Sequence, residues 1–136
     1  MATTEVLMVD DDPNVLRGLG RALRGQPFTL LTCRSAEEAL AIVKARPIGV
    51  VVTDERMPGR SGTELLAWVA RETPEIVRIV LTGHTTPETT MRAVNEGRVF
   101  RFFSKPCNPL DLALAIRDGL ELHESAVTPE AAVASL

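Results

Sequence analysis

Val50-Val51-Val52-Thr53-Asp54-Glu55-Arg56-Met57-Pro58-Gly59 is the stretch that decides the fold. Its three β-branched apolar residues run straight into Asp54, and a Pro-Gly turn follows. An uninterrupted apolar run of this length reads as a strand buried on both faces, so the carboxylate falls at the exposed carboxyl end of a central strand. Open α/β sheets bind their ligands at that edge. One aspartate there is a weak signal, because Asp commonly ends strands; its weight comes from what other strand ends bring beside it.

Outward from this stretch the chain alternates between two periods. Val6-Leu7-Met8-Val9 is an apolar run that stops at Asp10-Asp11-Asp12-Pro13, where Asp12 suits an N-cap and Pro13 a first helical residue. Val15, Leu16, Leu19, Ala22 and Leu23 then recur at helical spacing until Gly25-Gln26-Pro27. Phe28 to Cys33, diluted by Thr29 and Thr32, predicts an edge strand. Ser35-Ala36-Glu37-Glu38 reads as a capping box ahead of Ala39, Leu40 and Val43, and Arg46-Pro47 closes that helix. Ser61-Gly62-Thr63-Glu64 repeats the box before Leu65, Leu66 and Val69, with Pro74 as the stop.

Val77 to Thr82 predicts a fourth strand, and Thr86-Pro87 opens a fourth helix that runs to about Glu96. Gly97 suits its left-handed C-terminal residue, and Met91 with Val94 forms a thin apolar stripe, the mark of a loosely held helix. Val99 to Ser104 predicts the fifth strand; Asn108-Pro109 caps a last helix expected to end near Glu121. Five strands alternating with five helices imply a parallel sheet covered on both faces, with the first, third and fourth strands central. The small residues of the segment 125–136 carry no compelling stripe and read as a tail or linker start, which leaves residues 1–124 as one domain.

Composition excludes several function classes. The chain has 136 residues, is 45% hydrophobic and carries a net charge of −3, with its Lys and Arg residues scattered, so direct nucleic-acid binding is not expected. No apolar run approaches the roughly 20 residues of a membrane helix, no leader pattern opens the chain, and Cys33 and Cys107 stand in no metal-ligand spacing. These features predict a reduced, cytoplasmic protein whose cysteines are structural.

The chemistry follows from the strand ends. Asp10 and Asp11 close the first strand, Asp54 the third, Thr82 the fourth and Lys105 the fifth. Three converging carboxylates repel one another, and an oxygen-only donor set suits a hard divalent ion such as Mg²⁺. A lysine ammonium and a threonine hydroxyl opposite them offer positive charge and donors to an anion. A phosphoryl group on Asp54 would use both halves, since phosphoryl transfer asks mainly for positioning and charge neutralisation. Gly83 leaves the approach open. Asp12 is read as a cap rather than a ligand, and His84, taken alone, as a solvated loop histidine.

With these residues in place, the sequence from about Val6 to about Leu122 resembles a receiver domain of a two-component response regulator. Asp10 and Asp11 match the family's acidic pair, Asp54 its phosphoacceptor, Thr82 its switch hydroxyl, Phe102 its switch aromatic, and Lys105 in Ser104-Lys105-Pro106 its lysine. The resemblance implies the CheY-like, flavodoxin-like (βα)5 doubly wound fold with strand order 2-1-3-4-5. It implies Mg²⁺ or Mn²⁺ held by Asp10, through water or directly, Asp11, Asp54 and the Arg56 backbone carbonyl. It also implies a cis Lys105-Pro106 bond, against roughly 5% of X-Pro bonds generally.

A sensor histidine kinase or phosphotransfer protein would phosphorylate Asp54, and the surface of the fourth helix, fifth strand and fifth helix would then change its contacts with an output domain, a partner protein or a second copy. Such a chain is a signalling switch rather than an enzyme, with only self-phosphorylation and autodephosphorylation. Arg56 and His84 occupy the positions that influence acyl-phosphate hydrolysis in the family, so two bulky side chains there are expected to hinder the attacking water.

Asn95-Glu96-Gly97-Arg98-Val99-Phe100-Arg101-Phe102-Phe103-Ser104-Lys105-Pro106 and Arg56-Met57-Pro58-Gly59 are similar to receivers linked to HD-GYP phosphodiesterases or to NtrC-type outputs. A receiver cut from a longer protein is therefore expected over a stand-alone regulator. Two rival classes fit less well. A flavodoxin-type carrier needs a Gly, Ser or Thr-rich phosphate loop where this chain has Asp-Asp-Asp-Pro, and a phosphohydrolase needs a general acid or base, for which only His84 is spare.

Overall fold

A computed structural model describes residues 3–83 and 85–127. Five parallel strands, β1 (Glu5–Val9), β2 (Thr29–Cys33), β3 (Ile48–Thr53), β4 (Val77–Thr82) and β5 (Arg101–Ser104), form one sheet in the order β2-β1-β3-β4-β5. The helices are α1 (Pro13–Ala22), α2 (Ala36–Ala45), α3 (Gly62–Glu72), α4 (Pro87–Asn95) and α5 (Pro109–Val127). The apolar strands are central and β2 is an edge, as its threonines implied.

Side-chain alternation along each strand divides the core into two layers. Leu7, Val9, Val51 and Val80 face α2 and α3, together with Ala93 of α4. Val6, Met8, Val50, Val52, Ile79 and Leu81 face the other way, onto Leu16 of α1 and Leu112 and Ile116 of α5. Every residue of β3 is buried, which is why its sequence shows no polar alternation before Asp54.

Helix starts follow the cap chemistry. The Asp12 side chain accepts from Asn14 N with Pro13 behind it, and Ser61 and Glu64 make the full reciprocal capping box. Ser35 makes only half of one: its hydroxyl accepts from Glu38 N, while Glu38 reaches the amide of Arg34. At the start of α4 the box is closed by Thr86 and Thr89.

Four expectations are corrected. The left-handed residue after α4 is Arg98, with φ 49, and Gly97 serves another purpose. Gly97 is packed so closely that a Cβ there would stand 2.9 Å from Ala93 O and 3.2 Å from Leu66 Cβ. Met91 and Val94 do not form the buried stripe of α4; they are 62% and 52% exposed, and Ala93 is its buried residue. Strand β5 begins at Arg101 rather than Val99: Arg98, at φ 49, still turns the chain, and Phe100 N donates to Arg78 O just ahead of the first paired residue. Helix α5 continues past Glu121 to Val127, carrying His123 into the base of the core, where its Nδ1 lies 2.6 Å from Glu75 O. The remainder of the expected tail, 128–136, lies outside the described residues.

Candidate metal and phosphoryl site

Parallel packing in this strand order brings the carboxyl ends of β1, β3, β4 and β5 into one row. Asp10 follows β1, Asp54 follows β3, Thr82 ends β4, and Lys105 follows β5. Backbone bonds extend the ladder to the site itself. Asp10 N donates to Cys33 O, Asp54 N to Val9 O at 2.9 Å, and Lys105 N to Thr82 O at 2.9 Å. Asp10, Asp54 and Lys105 are therefore fixed by strand-end hydrogen bonds rather than carried on free loops.

Carboxylate oxygens of Asp10, Asp11 and Asp54 all lie within 4.8 Å of one another. Asp10 and Asp54 are buried and Asp11 half-buried. Each buried carboxylate is aimed by a backbone amide: Asp12 N donates to Asp10 Oδ1 at 2.9 Å, and Glu55 N to Asp54 Oδ1 at 2.8 Å. Three oxygen donors of this kind, gathered from two strand ends, fit a hard divalent cation.

A cation of the protein already stands among them. Lys105 Nζ lies 2.6 Å from Asp10 Oδ2 and 3.5 Å from Asp54 Oδ2, so the carboxylates do not face one another unrelieved. One ammonium cannot balance three carboxylates. Burial, the largest influence, pushes the Asp10 carboxyl up, partly offset by the Lys105 hydrogen bond. Burial works against the Lys105 ammonium too, but its contacts with Asp10 and Asp54 prevail and hold it above its ordinary value. The difference follows from exposure, since the Lys105 side chain keeps 24% of its surface in solvent against 4% for Asp10.

Thr82, Phe102, Arg56 and Gly83 lie on β4, on β5 and in the loops that follow β3 and β4. Thr82 is fully buried at the end of β4. Phe102, half-buried on β5, packs against the core layer that holds Val80, its register partner. Arg56 is exposed and, with Asp11, Thr86 and Arg92, lines an open cleft of about 490 Å³ beside Asp54. Gly83 is exposed, and a Cβ there would sit 4.0 Å from Lys105 Cβ, an ordinary contact that would not close the approach. His84 lies outside the described residues. The Lys105-Pro106 bond is cis. Cys33 and Cys107 are free thiols.

Two contributors were missed from the sequence. Glu55 is 7% exposed, and its carboxylate accepts from both Thr63 N, at 3.1 Å, and Thr63 Oγ1. This bond folds the loop after Asp54 back onto the amino end of α3. Glutamates are rarely buried and nothing local marked this one. Gly62 completes the turn: a Cβ there would lie 2.1 Å from Asp54 O. The capping box signalled the helix start but not this approach.

A doubly wound α/β sheet with an acidic cluster at the switch point of its strands defines a class; comparison with known proteins narrows it. Residues 6–117 match the family model described as the response regulator receiver domain, and the chain belongs to that family. It is similar to the hydrogenase transcriptional regulatory protein HoxA of Cupriavidus necator, 40% identical over 116 residues that make up 85% of this chain and 24% of the relative. It therefore spans about a quarter of the length of that relative.

Among solved structures it resembles the signal receiver domain of an HD domain-containing protein from Pseudomonas fluorescens. That likeness has a TM-score of 0.88 and 33% identity, and covers 93% of each chain. It also resembles a CheY-like response regulator receiver domain protein from Methanospirillum hungatei, with a TM-score of 0.84 and 27% identity over 92% of this chain and 99% of that one. The chain is a receiver domain of the two-component response regulators, and it has the flavodoxin-like strand order of that fold. Among the described residues no helix is long and apolar enough to cross a membrane.

Proposed function

We propose that Asp54 is the phosphoacceptor of this receiver and that its phosphorylation requires a divalent cation held by Asp10, Asp11, Asp54 and the Arg56 backbone carbonyl. The observation that carries the reading is the placement of Lys105 Nζ between Asp10 and Asp54 inside a cluster whose carboxylate oxygens lie within 4.8 Å. Mg²⁺, or Mn²⁺, would neutralise the carboxylates and the phosphoryl oxygens that approach them.

An Asp54 carboxylate oxygen attacks the phosphorus of the donor; the new O–P bond forms as the bond from phosphorus to the donor breaks, and the donor leaves with that electron pair. The donor is the phosphohistidine of a sensor kinase or phosphotransfer protein. Lys105 then exchanges its carboxylate partners for a phosphoryl oxygen, and Thr82 donates to another. Thr82 ends β4, and Phe102 pairs in register with Val80 on the same strand. A shift of the hydroxyl is thereby coupled to β5 and to the surface of α4, β5 and α5. The phosphoryl group acts by contacts available mainly in one of two states. Hydrolysis through the site's own residues returns the switch, with bulky Arg56 and His84 slowing the water. What the surface contacts is an output domain, a partner protein or a second copy; the names of the similar proteins, a transcriptional regulator and an HD domain-containing protein, support an output domain.

The test is incubation of the purified chain with Mg²⁺ and acetyl phosphate, read by intact mass. One phosphoryl adduct that is labile to base, absent with Asp54→Ala and absent without metal, is the expected result. A folded protein that stays unmodified contradicts the reading.

A further inference from the structure

The segment 95–101, singled out by its sequence, takes no part in the chemistry above, yet one side chain of β4 is devoted to it. Arg78 lies on the same strand as Thr82, at the opposite end. Its Nε donates to Gly97 O at 3.1 Å and Arg98 O at 3.3 Å, and its Nη2 to Arg98 O at 3.3 Å. Its Nη1 donates to Ile76 O at 2.6 Å and Pro74 O at 3.1 Å. The Arg78 backbone joins in, its carbonyl accepting from Phe100 N at 2.7 Å. One planar, rigid donor set thus binds carbonyls from both the loop that enters β4 and the loop that leaves α4.

Holding that guanidinium there is unfavourable in itself. Burial first, and then the neighbouring Arg98 cation, press Arg78 below its ordinary value. Arg98 is also the non-glycine residue at positive φ among those described. Beside it, Gly97 seats the end of α4: a Cβ there would stand 2.9 Å from Ala93 O, closer than side chains come, and 3.2 Å from Leu66 Cβ of α3. The carboxyl end of α4 is therefore anchored by the Arg78 bonds, the Gly97 seat and buried Ala93. Its amino end has local support: Thr86 and Thr89 bond each other, Pro87 follows, and Met91 lies in solvent.

We propose that Arg78 is a positioning residue that pins the carboxyl end of α4 to the base of β4, so that phosphorylation moves the helix about that end and displaces mainly its amino end. The inference rests on the receiver reading for the displacement, but the pin itself exists in the resting protein. Lysine cannot replace it fully, having a compact head where arginine spreads its donors across several carbonyls.

Amide hydrogen exchange of the full chain, with and without Mg²⁺ and acetyl phosphate, tests it. In the resting protein 95–101 is protected; phosphorylation alters exchange over 85–91 and leaves 95–101 as it was. Arg78→Met, checked for native helix content, loses about tenfold in protection at 95–101, and phosphorylation then perturbs both ends. Arg78→Lys lies between. Wild-type protection at 95–101 in the Met variant overturns the proposal, as does equal perturbation of both ends on phosphorylating the unaltered protein. Should the Met variant not fold, the Lys variant decides: a partial loss confined to 95–101 supports the pin, and no loss overturns it. Failure of every protein to take a phosphoryl group would count against the receiver reading alone, because protection in the resting state still reports on Arg78.

Discussion

Lys105 Nζ lies 2.6 Å from Asp10 Oδ2, tying the end of β5 to the end of β1 across the two strands between them. The pair is more than a latch. Its ammonium holds the position from which a phosphoryl oxygen on Asp54 would be met, and it holds it by means of the carboxylate that a metal ion would also claim. On the proposed reading, metal and lysine would compete before phosphorylation and act together after it.

Lys105→Met is expected to tighten Mg²⁺ binding by about tenfold, the size of one like-charge repulsion at a partly solvated separation, while sharply lowering the yield of phosphorylated protein. Calorimetric titration with Mg²⁺ measures the first effect and intact mass the second. Because burial holds the Asp10 carboxyl above the ordinary 3.8, protons should compete with the metal over the range from that value up to the raised one, and affinity should fall as pH drops through it. Unchanged Mg²⁺ affinity in the variant would show that lysine and metal do not contend for Asp10.

Glu55 accepts from both donors of Thr63, so Glu55→Ala leaves a buried amide and hydroxyl without their partner. A loss of roughly 1–3 kcal/mol of stability follows, read by urea unfolding. Thr63→Val removes the hydroxyl alone, and the double variant should cost clearly less than the sum, since the two side chains share one interaction. Strict additivity would refute the pairing.

Gly62→Ala forces a Cβ to within 2.1 Å of Asp54 O unless the backbone moves. We expect a loss of roughly 2–3 kcal/mol by urea unfolding, with Asp54 displaced enough to slow its phosphorylation by acetyl phosphate. A variant as stable and as readily phosphorylated as the unaltered protein would mean that the turn relaxes freely.

How much of this could be read from sequence depends on the range of the interaction. The cap residues Asp12, Ser61 and Thr86 act within a few positions of themselves, and each helix begins where its cap indicates. Apolar runs likewise announced which strands are central, because burial on both faces removes polar alternation. The carboxyl-end residues Asp10, Asp54, Thr82 and Lys105 were legible for the same reason: parallel connection alone brings them together. What escaped depends on distant partners. Gly97 looked like a left-handed cap because glycine usually is one there; it is needed for space instead, since a Cβ would come within 2.9 Å of Ala93 O and 3.2 Å of Leu66 Cβ on another helix. Nothing in the local sequence marks Arg78, whose partners are the carbonyls of two loops, or Glu55, whose partner Thr63 lies in α3. The stripe assigned to Met91 and Val94 failed because two apolar residues do not fix which face of a short helix meets the core; the buried face is that of Ala93.

Cys33 is buried, and burial pushes its thiol up to about 12. It should resist iodoacetamide at pH 8 in the native protein and react once the chain is unfolded, since the thiolate is the nucleophile. Between 9.0 and about 12 the unfolded thiol ionises while the folded one keeps its proton. The unfolded state then binds fewer protons, so Cys33 lowers stability as pH rises through that window. Cys33→Ala should show a shallower alkaline decline in thermal midpoint, and rapid alkylation of the native protein at Cys33 would contradict the burial argument.

Phe102 stands in register with Val80, and Ser104 with Thr82, on the adjoining strands β5 and β4. A ring that is half-buried against the α2–α3 core layer should lose less on truncation than the 3–5 kcal/mol of a fully buried phenylalanine, so Phe102→Ala is expected to cost about 1–2 kcal/mol. Neither Asp54 nor its carboxylate neighbours touch the change, and the stoichiometry of phosphorylation should be preserved. What should disappear is the effect of phosphorylation on β5: exchange at 102–104, altered on phosphorylation in the unaltered protein, should become insensitive to it once the ring no longer links the strand to the core. If the truncated protein responds over 102–104 as the original does, Phe102 is a packing residue and the coupling from Thr82 to this surface must run through the β4–β5 backbone ladder instead.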